Sequence, residues 1–174
     1  MRPSSAPSQP RRRTLILGTW ATLACASALA LDAPQGKVVL SVSGHVAETR
    51  PGQGVDFDMA MLAALPQHTV RTTTPWHAEA RSYSGPLLRD VLAAAGAKGE
   101  QLKAVALNRY KVDIPSADAQ RWPVIVARLV DGQPMAIRDK GPLFVIYPFD
   151  SDAELRSERY YSRSAWQLRG IEVN

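Results

Sequence analysis

The sequence predicts an α+β domain, a mixed β-sheet with a few short helices. Two observations carry that expectation. Short β-prone runs recur from Val38 onward, punctuated by Gly, Pro and Asp, giving about seven strands. Helical periodicity is confined to two short segments. A third observation sets the boundary: the opening residues have a different composition and stand outside the fold.

In chain order, Val38–Val42 is a first strand ended by Gly44, and residues 50–54 (RPGQG) form a loop. Asp56 to Leu65 carries apolar residues at helical spacing, with Asp at its start and Pro66 as its stop. His68 to Thr74 alternates as a strand and ends at Pro75. Residues 86–96 (PLLRDVLAAAG) are a helix with Leu87, Leu88, Val91, Leu92 and Ala95 on its buried stripe. Ser84 or Gly85 is its cap, Pro86 lies in its first turn, and Gly96 follows its end. Strands follow at Lys103–Leu107, Tyr110–Ile114 and Val124–Val130. Asp131-Gly132 turns the chain as a hairpin into Met135–Ile137. Leu143–Tyr147 is a buried strand, and a last strand lies within Trp166–Val173.

Residues 1–30 read as a signal peptide and residues 31–174 as one domain. Arg2, Arg11, Arg12 and Arg13 precede an apolar stretch that ends in Ala28-Leu29-Ala30, an A-x-A pattern. A membrane anchor is the alternative, but the apolar stretch is short for a span. Periplasmic export is therefore expected, by either the general or the twin-arginine route.

The leader also dominates the charge. The chain has 21 Lys+Arg against 16 Asp+Glu, a net +5. Without the four leader arginines the balance is 17 against 16, or +1, so no basic face indicates nucleic acid. The only cysteine, Cys25, also lies in the leader. The exported domain would then have no disulfide, no thiolate metal ligand and no cysteine nucleophile.

Most catalytic patterns are missing. The sequence has neither a G-x-S-x-G elbow nor a phosphate-cradling glycine loop. His45, His68 and His77 show no metal-ligand spacing. What remains is polar and aromatic residues at strand ends, in four segments: Thr72–His77, Asn108–Tyr110, Arg138–Pro142 and Ser162–Trp166. Flat donors and aromatics of this kind suit a planar, hydrogen-bonding ring. Each segment also has a plainer reading. Trp76 can be an aromatic that seals the core, Asn108 a turn residue, and Arg138 to Lys140 a solvated turn.

Together, SGPLLRDVLAAAGA (84–97), ALNRYKVDIP (106–115), GQPMAIRDKGPLFVIYPFD (132–150) and SRSAWQLRGIEV (162–173) resemble the sulfite-oxidase-like, molybdopterin-binding fold. The resemblance covers most of residues 37–174 and implies a pocket for a pterin at one edge of a mixed sheet. In the enzymes of that fold a cysteine thiolate binds molybdenum. The corresponding stretch here, VRTTTPWHAEARSYSG (70–85), has threonine instead, and a hydroxyl is a poor ligand for a soft redox metal. A narrower resemblance is to small exported proteins of the same fold that bind free pterins without metal. These report to the periplasmic part of a membrane signalling protein, commonly a cyclic-di-GMP enzyme or a sensor kinase.

The resemblance implies a periplasmic, metal-free binder of a reduced pterin that regulates such a partner. Trp76 would be the stacking or lid aromatic, and Asn108 and Tyr110 would bond the ring edge. Arg138 and Lys140 would meet its oxygens, Gly141 would allow close backbone approach, and Arg163 and Trp166 would close the far side. The alternatives are a molybdopterin-dependent oxidoreductase and a ligand-free interaction module.

Overall fold

Residues 33–47 and 54–174 are described by the structure, a computed structural model. The expected signal peptide, and residues 50–53 of the expected loop, lie outside the described residues. The fold is α+β. In chain order it contains β1 (Val38–Gly44), β2 (Val55–Asp58), α1 (Met59–Ala64), β3 (Gln67–Thr74), β4 (His77–Pro86), α2 (Leu88–Ala94), β5 (Gln101–Ala106), β6 (Lys111–Pro115) and α3 (Ser116–Arg121). There follow β7 (Ile125–Ala127), β8 (Leu129–Val130), β9 (Gln133–Pro134), β10 (Phe144–Ile146), α4 (Glu158–Arg163) and β11 (Leu168–Val173).

The strands form three sheets. The largest has the order β2-β1-β11-β5-β6. Its β1–β11 pair is parallel and its other pairs are antiparallel, so it is mixed. A four-stranded antiparallel sheet has the order β3-β4-β8-β9. Between them β7 and β10 pair antiparallel over Ile125–Ala127 and Phe144–Ile146.

This short pair divides two hydrophobic cores. Val124, Val126, Leu143, Val145 and Tyr147 join the large core on the five-stranded sheet. Ile125, Ala127, Phe144 and Ile146 join Val70, Tyr83, Leu87 and Met135 in the small one. Side chains alternate across a strand, so two apolar faces require an unbroken apolar run. That is why Leu143 to Tyr147 contains no polar break.

Several elements differ from the expectations, each for a local reason. The helix expected over Asp56–Leu65 starts at Met59. Val55 and Phe57 alternate into the core from β2, and Asp58 caps the helix by accepting from Met61 N at 2.8 Å. The run expected as one strand over Val124–Val130 is split, because Arg128 N donates to Ser84 O at 2.9 Å and passes the chain from one sheet to another. Asp131 and Gly132 have φ of 49° and 78°, the twist of a tight hairpin turn, but the return strand is only Gln133–Pro134. Met135–Ile137 is not a strand; a 3-10 turn occupies Ile137–Asp139. Helix α2 is shorter than expected and has no side-chain cap; Leu87 stands at its cap position. Its end is as expected. Gly96 adopts φ 61°, and Ala97 N reaches back to Leu92 O at 2.9 Å. Strand β4 and helices α3 and α4 were not anticipated.

β4 meets β7 at a point where no side chain fits. A Cβ on Gly85 would lie 2.0 Å from Val126 O and 2.9 Å from Ala127 Cα. Both are backbone atoms of a buried strand and cannot swing aside. Gly85→Ala is expected to lower unfolding stability by roughly 3 kcal/mol, the upper range for overpacking, read from urea denaturation. A loss below half of that would mean β4 and β7 are free to separate.

Candidate functional site

The strongest candidate site is a cavity of about 360 Å3 on the small-core side of the molecule. One wall is β4, which contributes His77, Arg81 and Tyr83. The other is the excursion between β8 and β10, contributing Asp131, Met135, Arg138 and Lys140 among others, with Phe144 also lining the cavity. The volume lies in the range of roughly 300–1,000 Å3 typical of small-molecule sites.

The β3–β4 hairpin positions the first wall. Thr74 pairs with His77 across a two-residue tip, Pro75-Trp76, and the Thr74 hydroxyl accepts from His77 N at 3.1 Å. Trp76 at the tip packs on Phe144 with ring centroids 5.5 Å apart and on Trp166 at 5.8 Å. The Lys140 ammonium lies 3.8 Å from the Trp166 ring centroid and 5.5 Å from that of Trp76. Burial holds Lys140 below the usual lysine range. The aromatic faces offset part of that cost, with cation–π contacts worth about 0.5–2 kcal/mol.

The loop from Ala136 to Gly141 is closed on itself. Asp139 N and Gly141 N both donate to Ala136 O at 2.9 Å. Lys140 holds φ 71°, and the Gly141–Pro142 bond is cis. Gly141 does provide close backbone approach, but to its own chain: a Cβ there would lie 2.0 Å from Met135 O.

The cavity is electropositive. Arg81, Arg138 and Lys140 stand against Asp131 and Asp139. Asp131 is held below the usual carboxylate range by Ser82 N and by Arg81, whose Nε lies 2.8 Å away. Burial, then Arg81 and Lys140, holds His77 below its ordinary range. Arg138 makes only a 3.5 Å contact with Asp139 and is largely exposed. No carboxylate pairs with Lys140 among the described residues.

Of the eight residues expected in the site, Trp76, Lys140 and Trp166 form one cluster, and Arg138 and Lys140 line the cavity. Trp76 and Trp166 stand behind Phe144 and Lys140 rather than in the wall. Asn108 and Tyr110 are farther removed. The Asn108 side chain accepts from Tyr110 N at 3.0 Å, which makes Asn108 a turn residue, and Tyr110 is half exposed. Gln167 joins their turn to the site, accepting from Leu107 N at 2.9 Å and donating to Lys140 O at 2.9 Å. Arg163, expected to close the far side of the pocket, does not line the cavity. Its guanidinium turns inward to Asp118 Oδ2 at 2.8 Å, which also accepts from the Tyr147 hydroxyl at 2.8 Å. That carboxylate is largely buried and needs both donors, so Arg163 is committed to the large core.

Arg81, Tyr83, Asp131 and Met135 were not anticipated in the site, and His77 was named there only as the end of the segment Thr72–His77. The polar stretch HAEARSYSGP (77–86) hides a strand whose only large apolar residue is Tyr83. The alternation of Arg81 and Tyr83 on it was the available signal. The threonines opposite this strand are engaged locally. Thr73 N and Oγ1 both donate to the Asp150 carboxylate, and Thr72 Oγ1 accepts from Asp150 N. Among the described residues no cluster of His, Cys, Asp and Glu suits a metal ion. No helix there is long and apolar enough to cross a membrane.

No protein-family model matches the chain, and no curated protein matches it significantly.

Arg163→Met should remove a structural ion pair, not a ligand contact. Urea denaturation is expected to show a loss of about 3 kcal/mol, as for breaking one side of a buried pair. Near-native stability would mean that Asp118 finds water instead.

Proposed function

We propose that this chain is a periplasmic pterin-binding protein of the sulfite-oxidase-like fold, regulating a membrane signalling partner and performing no molybdenum chemistry. The cavity carries this reading. A pterin is a flat bicycle with a carbonyl, ring-nitrogen acceptors and an amidine-like edge. Met135 and Phe144 supply apolar surface for its faces. Tyr83, Arg81 and Lys140 supply donors, and Asp131 supplies an acceptor already held in place by Arg81 and Ser82 N.

The role in signalling rests on the edge beside the cavity. Leu107, Tyr110, Ile137 and Trp166 are large hydrophobics that remain 36% or more exposed. Gln167 gathers the turns that carry them by bonding Leu107 N, Lys140 O and, through its side chain, Ile137 O at 2.8 Å. The occupant proposed for this edge is the periplasmic domain of a membrane-bound signalling protein. Arg109 and Arg138 in the same turns suit a partner face with acidic margins. Lys140 belongs to both the cavity wall and this edge, so ligand binding can shift the population of edge conformations.

The protein, expressed in a host that makes pterins, should co-purify with a pterin and without stoichiometric molybdenum, by mass spectrometry and metal analysis. Titration calorimetry should show one site for 7,8-dihydroneopterin. Trp76→Ala should weaken that binding roughly tenfold by removing the support of Phe144 and Lys140, a loss on the scale of a desolvated cation–π contact. Stoichiometric molybdenum would establish the oxidoreductase instead. Failure of every dihydropterin to bind would leave the interaction module.

A further inference from the structure

Burial of polar groups sets a condition that one residue of the cavity does not meet. Tyr83 is 2% exposed, on the inner part of β4, and it lines the cavity. Its ring is fixed on both sides of the sheet register. It pairs with Val70 and Val130 and stands edge-on to Phe144 at 6.1 Å. Its hydroxyl has no hydrogen-bond partner, although Thr74 lies beside it. The Thr74 hydroxyl accepts from His77 N and makes no hydrogen bond of good geometry with the Tyr83 hydroxyl. Buried hydroxyls in folded proteins are nearly always partnered, and one left open is a defect unless something else fills it. The other buried donor in this condition among the described residues, Trp122 Nε1, lies against Tyr160 in the large core and does not line this cavity.

The surroundings say what the missing partner is. Burial pushes the Tyr83 phenol above the usual tyrosine range, so the group remains a donor at any physiological pH. It therefore calls for an acceptor. Lys140, with no carboxylate partner among the described residues, is a second donor in the lining. With Arg81 and Arg138, Lys140 makes three cations against two carboxylates in the lining, which makes a cationic ligand unfavourable.

We infer that the Tyr83 hydroxyl is the anchoring donor of this cavity, and that the cavity takes a planar, neutral or anionic ligand whose carbonyl or ring-nitrogen acceptor enters first. Met135 and Phe144 flank the ring, and Lys140 meets a second acceptor. This deepens the pterin reading and rests on the same cavity, but it fixes the ligand's polarity independently of which heterocycle is bound.

The test combines Tyr83→Phe with three probes: 7,8-dihydroneopterin, urate and orotate, each a flat heterocycle with at least one ring carbonyl. The planar cation 1-methylnicotinamide is the control. The native protein should bind at least one of the three and not the cation. Tyr83→Phe should bind that probe roughly three- to tenfold more weakly, the effect of one lost neutral hydrogen bond. Without ligand its melting temperature should equal or exceed that of the native protein, because the substitution removes an unsatisfied group. Unchanged affinity in the variant would overturn the inference. So would a marked fall in its ligand-free melting temperature, which would mean the protein already partners the hydroxyl. Binding of the cation, or of none of the three probes, would overturn the assigned ligand class. Tyr83-dependent binding of urate or orotate without dihydroneopterin would sustain the inference and remove the pterin reading.

Discussion

The pairing of β7 with β10 is the constraint on which the rest depends. It joins only three residues on each strand, yet both of its faces are buried and each belongs to a different core. A strand in that position can hold no polar side chain on either face without stranding it away from water. Gly85 brings β4 against the same pair, and the bridge between Leu87 and Ile125 continues that contact. The small sheet is thereby fastened to the large core through backbone atoms. The cavity then follows from the connection: the chain leaving β7 must travel outward through β8, β9 and the Lys140 loop before it returns as β10.

The two cores treat polarity differently, and the difference separates structure from site. In the large core, Asp118 is buried with donors from Tyr147 and Arg163 both at 2.8 Å. Tyr147 is pushed well above the usual tyrosine range by burial and by that carboxylate, so the proton stays on the phenol. Every partner is internal, and the network closes. In the small core, the Tyr83 phenol and the Lys140 ammonium are also partly or wholly desolvated, but their polar atoms have no such partner. Two donors without an internal acceptor, on the lining of one cavity, leave hydrogen bonds that a ligand can complete.

The sequence disclosed the elements whose residues have one job. The alternation of β3, the helix stop at Gly96 and the apolar run of β10 could be read directly. It failed where one residue serves two elements. Asp58 ends β2 and caps α1, so an apolar pattern that spans both reads as one helix. Arg128 divides one β-prone run between two sheets. The grouping of Trp76, Lys140 and Trp166 could be expected because aromatics and a cation at strand ends stand out. The pairing of Arg163 was not legible: an arginine beside an exposed turn gives no sign that Asp118, far away in sequence, holds it. Tyr83 stayed hidden because its meaning lies in a missing contact, and no sequence pattern records one.

The position of Gln167 ties the cavity wall to the exposed edge beside it. Its backbone donates to Lys140 O, its side chain donates to Ile137 O, and its own carbonyl accepts from Leu107 N. Its φ of 50° costs conformational energy for a residue that is not glycine, and these bonds are what hold it there. The wall of the cavity and the tip of the β5–β6 hairpin are therefore one hydrogen-bonded unit. A ligand that draws Lys140 off the Trp166 ring acts on the same short segment that fixes Ile137 and Leu107. Packed segments with satisfied backbones shift between discrete arrangements more readily than they deform by degrees. On the proposed function, the exposed edge is the part of the surface that a ligand in the cavity would reach through these bonds, and the part a partner would read.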